Sequence, residues 1–192
     1  LAVKTVEDLL GVPIQYYAQI DFEAFIKFVD HIEGVKITVD SPIRLDILGT
    51  QTTVPLEPGT YTLPGELALA YVRMRNTEGG DFDRAQRQQQ VIIAIRDRIL
   101  DFNMMPTLLA NANAIYADLS AGIRTNLTLS QALSLAQTIM KVPRDQIKQA
   151  VIDGQYVNFG KSPTGLDILR PIPDKIRELR DEIFYGQTTS AS

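Results

Sequence analysis

The stretch from Arg73 to Gln90, RMRNTEGGDFDRAQRQQQ, runs directly into an apolar helix and constrains what can be built around it. At 100° per residue, Arg84, Gln88, Val91, Ile95 and Ile99 fall on one narrow face. The aliphatic members of that face need a core. Arg84 and Gln88 are therefore expected to continue a buried stripe at its N-terminal end, with Arg87 on the flank. Asp83 followed by Gln86 fits a capping box, which predicts a helix starting at residue 84 and occupies Asp83 structurally. Asp81 has no such role and is freer to bind. Gly79-Gly80 permits a turn sharp enough to bring Arg73 and Arg75 back towards Arg84.

Guanidinium groups gathered at a helix N-terminus reinforce an electrostatic preference for anions that the free N–H groups and the macrodipole already create. Their planar forks match phosphate oxygens bidentately. The ligand this pattern suggests is a phosphate or pyrophosphate. An aspartate inside such a nest either holds a divalent cation through oxygen or tethers one arginine. A structural Arg–Asp network that pins a loop explains the same residues, and the spacing leaves both open.

Composition narrows the alternatives. A net charge of -4 over 192 residues carries no general nucleic-acid footprint, so the basic cluster suits a small anionic ligand. The absence of cysteine excludes disulfides, thiolate zinc sites and thiol catalysis. The single histidine, His31, falls near a helix end without a serine or acid motif to make a triad. No apolar run reaches the length of a membrane span.

Periodicity places the remaining elements. Helices are expected at 2–10, from Asp21 to Gly34 (Phe22, Phe25, Ile26, Val29 and Ile32), at Leu67–Val72, 84–102 and 106–122, from a Thr128–Gln131 capping box to Pro143, and at Pro171–Phe184. Strands are expected at Ile14–Ile20, Val35–Val39, near Ile47 and Thr53-Val54, and at Gln149–Val157, with residues 158–170 a loop. The fold class is α/β, with one domain over 1–185 and a disordered tail at 186–192. Asn126-Leu127-Thr128 matches a glycosylation acceptor, but Thr128 is already explained as a cap.

The run LPGELALAYVRMR from Leu63 to Arg75, followed by GDFDRAQRQQQ from Gly80 to Gln90, resembles the LytR-CpsA-Psr family. Leu1–Gly11, the Asp21–Gly34 helix with its strand, and Thr125–Leu135 resemble it in order and spacing. The resemblance implies a mixed β-sheet flanked by helices on both faces. It implies a phosphotransferase of the extracytoplasmic face of the cytoplasmic membrane, anchored there through an N-terminal segment. Such proteins move a glycopolymer (teichoic acid, capsule or a related polymer) from an undecaprenyl pyrophosphate carrier to peptidoglycan, with the lipid tail in an apolar tunnel.

Carried over by motif, Arg73, Arg75, Arg84 and Gln88 contact the pyrophosphate, and Arg87 matches with a less defined role. Asp81 stands near the head group and a Mg2+ ion. It either orients the metal's shell or accepts the acceptor hydroxyl's proton. The family domain's earlier strands, with their Ser-Asp-Thr-like and Pro-Arg-Asp-like runs, are expected to lie outside this chain. The metal site would then be incomplete, and Pro143-Arg144-Asp145, after a late helix, does not replace them. Two rival readings are a non-catalytic polyprenyl (pyro)phosphate-binding module and a cell-envelope-related transcriptional regulator.

Overall fold

A computed structural model describes residues 1–101 and 104–186. Helices and small antiparallel sheets are mixed along the chain. The elements are α1 (Ala2–Leu10), β1 (Ala18–Ile20), α2 (Phe22–His31), β2 (Val35–Val39), β3 (Ile43–Asp46), β4 (Thr53–Leu56), β5 (Gly59–Leu63), α3 (Gly65–Arg73), α4 (Gly80–Leu100), α5 (Met105–Gly122), β6 (Ile123–Thr125), α6 (Leu129–Lys141), β7 (Val157–Lys161), β8 (Asp167–Pro171) and α7 (Pro173–Tyr185). The described strands pair as antiparallel ribbons: β1 with β6, β2 with β5, β3 with β4, and β7 with β8. No described helix is long and apolar enough to cross a membrane.

The chain forms two compact units. The described residues of 18–141 make one, and 1–17 together with 142–186 make the other. The larger unit owns the main core. Strand β2 shows why: Val35, Ile37 and Val39 are buried while Lys36 and Thr38 face out, the period-two pattern that one buried sheet face demands. Its partner β5 sets Leu63 opposite Val35 and Tyr61 opposite Ile37. Val29 and Ile32 of α2, Leu45 of β3, Ala68 and Tyr71 of α3, and Val91 and Ala94 of α4 complete the cluster. Phe25, Phe28 and Ile95 pack on its margin, whereas Ile92 is exposed.

The start of α2 follows the sequence expectation, since Asp21 Oδ1 accepts the Ala24 N–H at 2.8 Å. Its C-terminal half is tied to α5. His31 Nε2 lies 2.9 Å from Asp118 Oδ2, and Lys27 Nζ is 3.3 Å from Asp118 Oδ1. The hydrogen bond from His31 and the one from Lys27 hold the Asp118 carboxyl below its usual range. A depressed folded-state pKa contributes stability that is complete above the unfolded value, 3.8, and fades as pH falls through the folded value. Protection of the α2 and α5 amides from exchange, relative to the intrinsic rate at each pH, is expected to fall below about pH 4. In Asp118→Asn that acid step should vanish; an unchanged step would mean that another carboxylate carries it.

Three local expectations need correction. The strand at Ile14–Ile20 shrinks to Ala18–Ile20. Gln149–Val157 forms no ladder before Val157. Residues 158–170, expected as a loop, contain most of the β7–β8 hairpin, in which Phe159 pairs with Leu169. Ala150-Val151-Ile152 supplied a strand-like apolar run, but its residues are only partly buried and belong to no strand. Of the tail expected at 186–192, all but Gly186 lies outside the described residues.

Candidate functional site

Helix α3 ends at Arg73, and the chain turns through residues 74–79 into α4. The turn works differently from the Asp83 capping box expected above. The helix begins at Gly80, with φ +52°, and Gly79 is its N-cap. Asp83 sits inside the helix and reaches backwards, accepting the Gly79 N–H on Oδ2 at 3.1 Å. A Cβ on Gly79 would lie 2.0 Å from Asp83 Oδ1, so the carboxylate occupies the space a side chain would need. Two glycines without Cβ atoms therefore let α4 start earlier than its apolar period suggested.

Asp81, in the first turn, draws two guanidinium groups together. Arg75 Nε lies 3.1 Å from Oδ1, and Arg84 Nη2 lies 3.0 Å from the same oxygen. Arg84 Nη2 also donates to Oδ2 at 3.2 Å. Arg75 and Asp81 are well exposed while Arg84 is mostly covered. Arg84 Nε is buried and has no hydrogen-bond partner among the described residues. The turn thus gathers Arg75, Arg84 and Asp81 at the positive end of α4.

The other candidates separate. Arg73 is exposed and stacks 5.2 Å above the Phe22 ring, a cation–π contact. It shares with Arg75 a small cleft that also touches Asp46 and Asn76. Phe22, expected in the core, is therefore exposed beneath a cation instead. Gln88 is exposed rather than part of a buried stripe. The buried stripe runs through Arg87, Val91 and Ala94, and Arg87 is only 8% exposed.

Arg87 spends its donors on the protein. Nη1 donates to Met74 O at 2.8 Å, Nη2 donates to Thr77 Oγ1 at 2.6 Å, and Asp83 lies 3.9 Å away. It fixes the turn that presents Arg75. Arg87→Met leaves the Met74 carbonyl without that donor and is expected to cost about 1–3 kcal/mol, read from urea unfolding. Arg75→Met breaks only an exposed pair and should cost at most about 1 kcal/mol. Equal costs would refute the buried role.

Beside this turn lies a larger cleft of about 690 Å³, which sequence reasoning missed. Asp40 and Ser41 after β2 meet Thr77, Glu78, Gln86 and Gln90 there. These polar residues come from three separated segments, so no spacing in one sequence announces them.

The described residues do not by themselves complete a magnesium site. Magnesium prefers a near-octahedral set of oxygens. Both Asp81 oxygens face guanidinium groups, and no group of three or more His, Asp or Glu among the described residues is arranged to hold a metal ion.

The scaffold gathers two guanidiniums around one carboxylate at the head of a long helix. The chain belongs to the LytR_cpsA_psr family, whose model matches residues 1–182. It is 32% identical over 185 residues to polyisoprenyl-teichoic acid–peptidoglycan teichoic acid transferase TagT of Bacillus subtilis, covering 95% of this chain and 54% of that protein. The crystal structure of B. subtilis TagV matches with a TM-score of 0.71 at 26% identity, over 95% of this chain and 69% of that one. A structure of TagT bound to LIIa-WTA matches with a TM-score of 0.70 at 29% identity, over 94% of this chain and 64% of that one. The chain therefore spans about half the length of the TagT relative it matches.

Proposed function

We propose that this chain is the diphosphate-gripping part of a phosphotransferase that moves a glycopolymer from a polyprenyl pyrophosphate carrier to peptidoglycan. Its place of work in this reading is the extracytoplasmic face of the bacterial cytoplasmic membrane, where such a carrier presents its head group. Family membership and the printed name of the TagT relative support the reaction class. The observation in this chain that carries it is Arg84, whose buried Nε lacks a partner while its Nη2 rests on an exposed carboxylate.

Each side chain has a part. Asp81 keeps Arg75 and Arg84 together as a replaceable counter-ion, because an exposed ion pair is weak. A diphosphate offers more oxygens in bidentate geometry and displaces it. Arg84 Nε then gains the acceptor it lacks. An acceptor sugar hydroxyl attacks the phosphorus attached to the polymer. The new O–P bond forms, the bridging P–O bond to the lipid phosphate breaks, and the hydroxyl proton passes to a carboxylate, for which Asp81, once released, is the nearest candidate. Guanidiniums already in place stabilise the charge that moves onto the departing polyprenyl phosphate.

The test is transfer of labelled polymer from its lipid carrier to peptidoglycan by the purified protein. Polymer bonded to peptidoglycan, with one polyprenyl phosphate released per transfer, is the expected result. Tight binding of the lipid without any transfer would replace the enzyme reading with that of a binding module.

A further inference from the structure

Helices α2 and α3 lie side by side and run in opposite directions. Gly65, at the start of α3, donates its N–H to Asp30 Oδ1 near the end of α2 at 2.7 Å. At the other end the last residue of α3, Arg73, reaches the first residue of α2, Phe22. The backbone under Phe22 is held. Asp21, just before it, caps α2 through the Ala24 N–H and donates its own N–H to Gly122 O at 2.9 Å. The ring on this fixed base is nevertheless 51% exposed. What it covers is a cation: the central carbon of the Arg73 guanidinium lies 5.2 Å from the ring centroid.

A ring holds a guanidinium differently from a carboxylate. Its negative face attracts the charge, but it presents no oxygen, so the N–H donors are not consumed. Arg75 and Arg84 share Asp81 and must release it before their forks are open to another anion. Arg73 has no hydrogen-bond or ion-pair partner to release among the described residues. It is exposed, and with Arg75 it lines one cleft of about 170 Å³. A long side chain with nothing to rest on must be ordered when an anion arrives, and that ordering weakens binding. The ring meets part of this cost in advance, while the last turn of α3 favours a cation electrostatically.

We infer that Phe22 is a positioning residue for diphosphate binding: its ring holds the Arg73 guanidinium, donors free, where a phosphate beside Arg75 meets it. The inference rests on the reading that the arginines grip a diphosphate. It adds to that reading a residue that acts through Arg73 and does not itself touch the ligand.

The probe is geranylgeranyl pyrophosphate, titrated by calorimetry at fixed salt. Phe22→Leu keeps apolar bulk without the π face and should bind it about 2- to 5-fold more weakly, the hold of a ring on an exposed cation. Trifluorophenylalanine at position 22 keeps the shape of the ring but strips negative charge from its face, and should weaken binding in the same direction. Phe22→Trp offers a stronger face and should bind at least as tightly as the parent. In an Arg73→Ala background, Phe22→Leu should change affinity no further, because the coupling needs both partners. By NMR, the Arg73 side-chain protons should show the ring-current shift of a group above an aromatic face and lose it in Phe22→Leu. Equal affinity across the Phe22 series would overturn the inference. So would a fluorinated ring that binds like the parent while leucine does not, since bulk alone would then be acting. A Phe22→Leu loss that persists without Arg73 would also overturn it, since the ring would then act on the ligand directly. A parent protein that does not bind the diphosphate sinks the transferase reading and this inference together, whereas a parent that binds it with a flat Phe22 series sinks the inference alone.

Discussion

Arg84→Ala is expected to lower kcat/KM for polymer transfer by about 10²–10³, the usual loss when one preorganised donor to a developing charge is removed. The protein should remain folded, because the one described partner of the side chain is the exposed Asp81 and an exposed pair contributes at most about 1 kcal/mol. Circular dichroism and the urea midpoint check that condition. Removing the side chain also removes the buried Nε, a donor without a partner among the described residues. An unsatisfied buried donor costs about 1–3 kcal/mol, so the variant should be as stable as the parent or slightly more stable. Lower activity with unchanged or higher stability is the signature of a group kept for a ligand. Arg84→Lys retains charge without the fork and should recover only part of the rate. Activity of Arg84→Ala within about threefold of the parent would remove Arg84 from the mechanism, since no donor effect on that scale is so small.

Legibility in the sequence followed the strength of the local signal. Strand β2 was readable because Val35, Ile37 and Val39 alternate with Lys36 and Thr38. The Thr128 cap was readable because both halves of the box are side-chain chemistry: Gln131 N–H donates to Thr128 Oγ1 at 3.3 Å, and Thr128 N–H donates to Gln131 Oε1 at 2.9 Å. The meeting of Arg75, Asp81 and Arg84 was half readable, in that a double-glycine turn was expected to fold the arginines back. The buried face of α4 was misjudged by one step. Tracing it through Ile95 and Ile99 chose the larger side chains, whereas the face is centred on Val91 and Ala94. Alanine carries little hydrophobic signal, yet it lets the core approach closely. That shift buries Arg87 and exposes Gln88. Hairpin β7–β8 went unseen for the opposite reason. Phe159 and Leu169 are exposed, so burial imposes no alternation on them. The 690 Å³ cleft was invisible because only the tertiary fold brings Asp40 to Glu78 and Gln86.

The largest loss of stability should come from Gly65→Ala. Gly65 opens α3 where that helix crosses α2, and a Cβ there would lie 2.3 Å from Ile26 O and 2.8 Å from Ile26 C and Cα. All three are backbone atoms, so no side-chain rotation relieves the overlap. Helix α2 is not free to retreat either, since Val29 and Ile32 are 0% exposed in the core behind it. Helix α3 must therefore move, and moving it strains the hydrogen bond from Gly65 N–H to Asp30 Oδ1, now 2.7 Å. Overpacking and the loss of a hydrogen bond to a charged acceptor together cost about 3–5 kcal/mol. In a chain of this size that lowers Tm by about 10 °C. Asp30→Ala removes the hydrogen bond without the overlap and should cost about 1.5–3 kcal/mol. The difference between the two variants isolates the steric part, and a Gly65→Ala protein that melts within about 2 °C of the parent would show that α3 yields freely. Transfer should fall with stability, because the far end of α3 carries Arg73 and sets the direction in which Arg75 leaves the helix. A loss of rate that persists well below the melting transition would tie the spacing of α2 and α3 directly to the placement of the arginines.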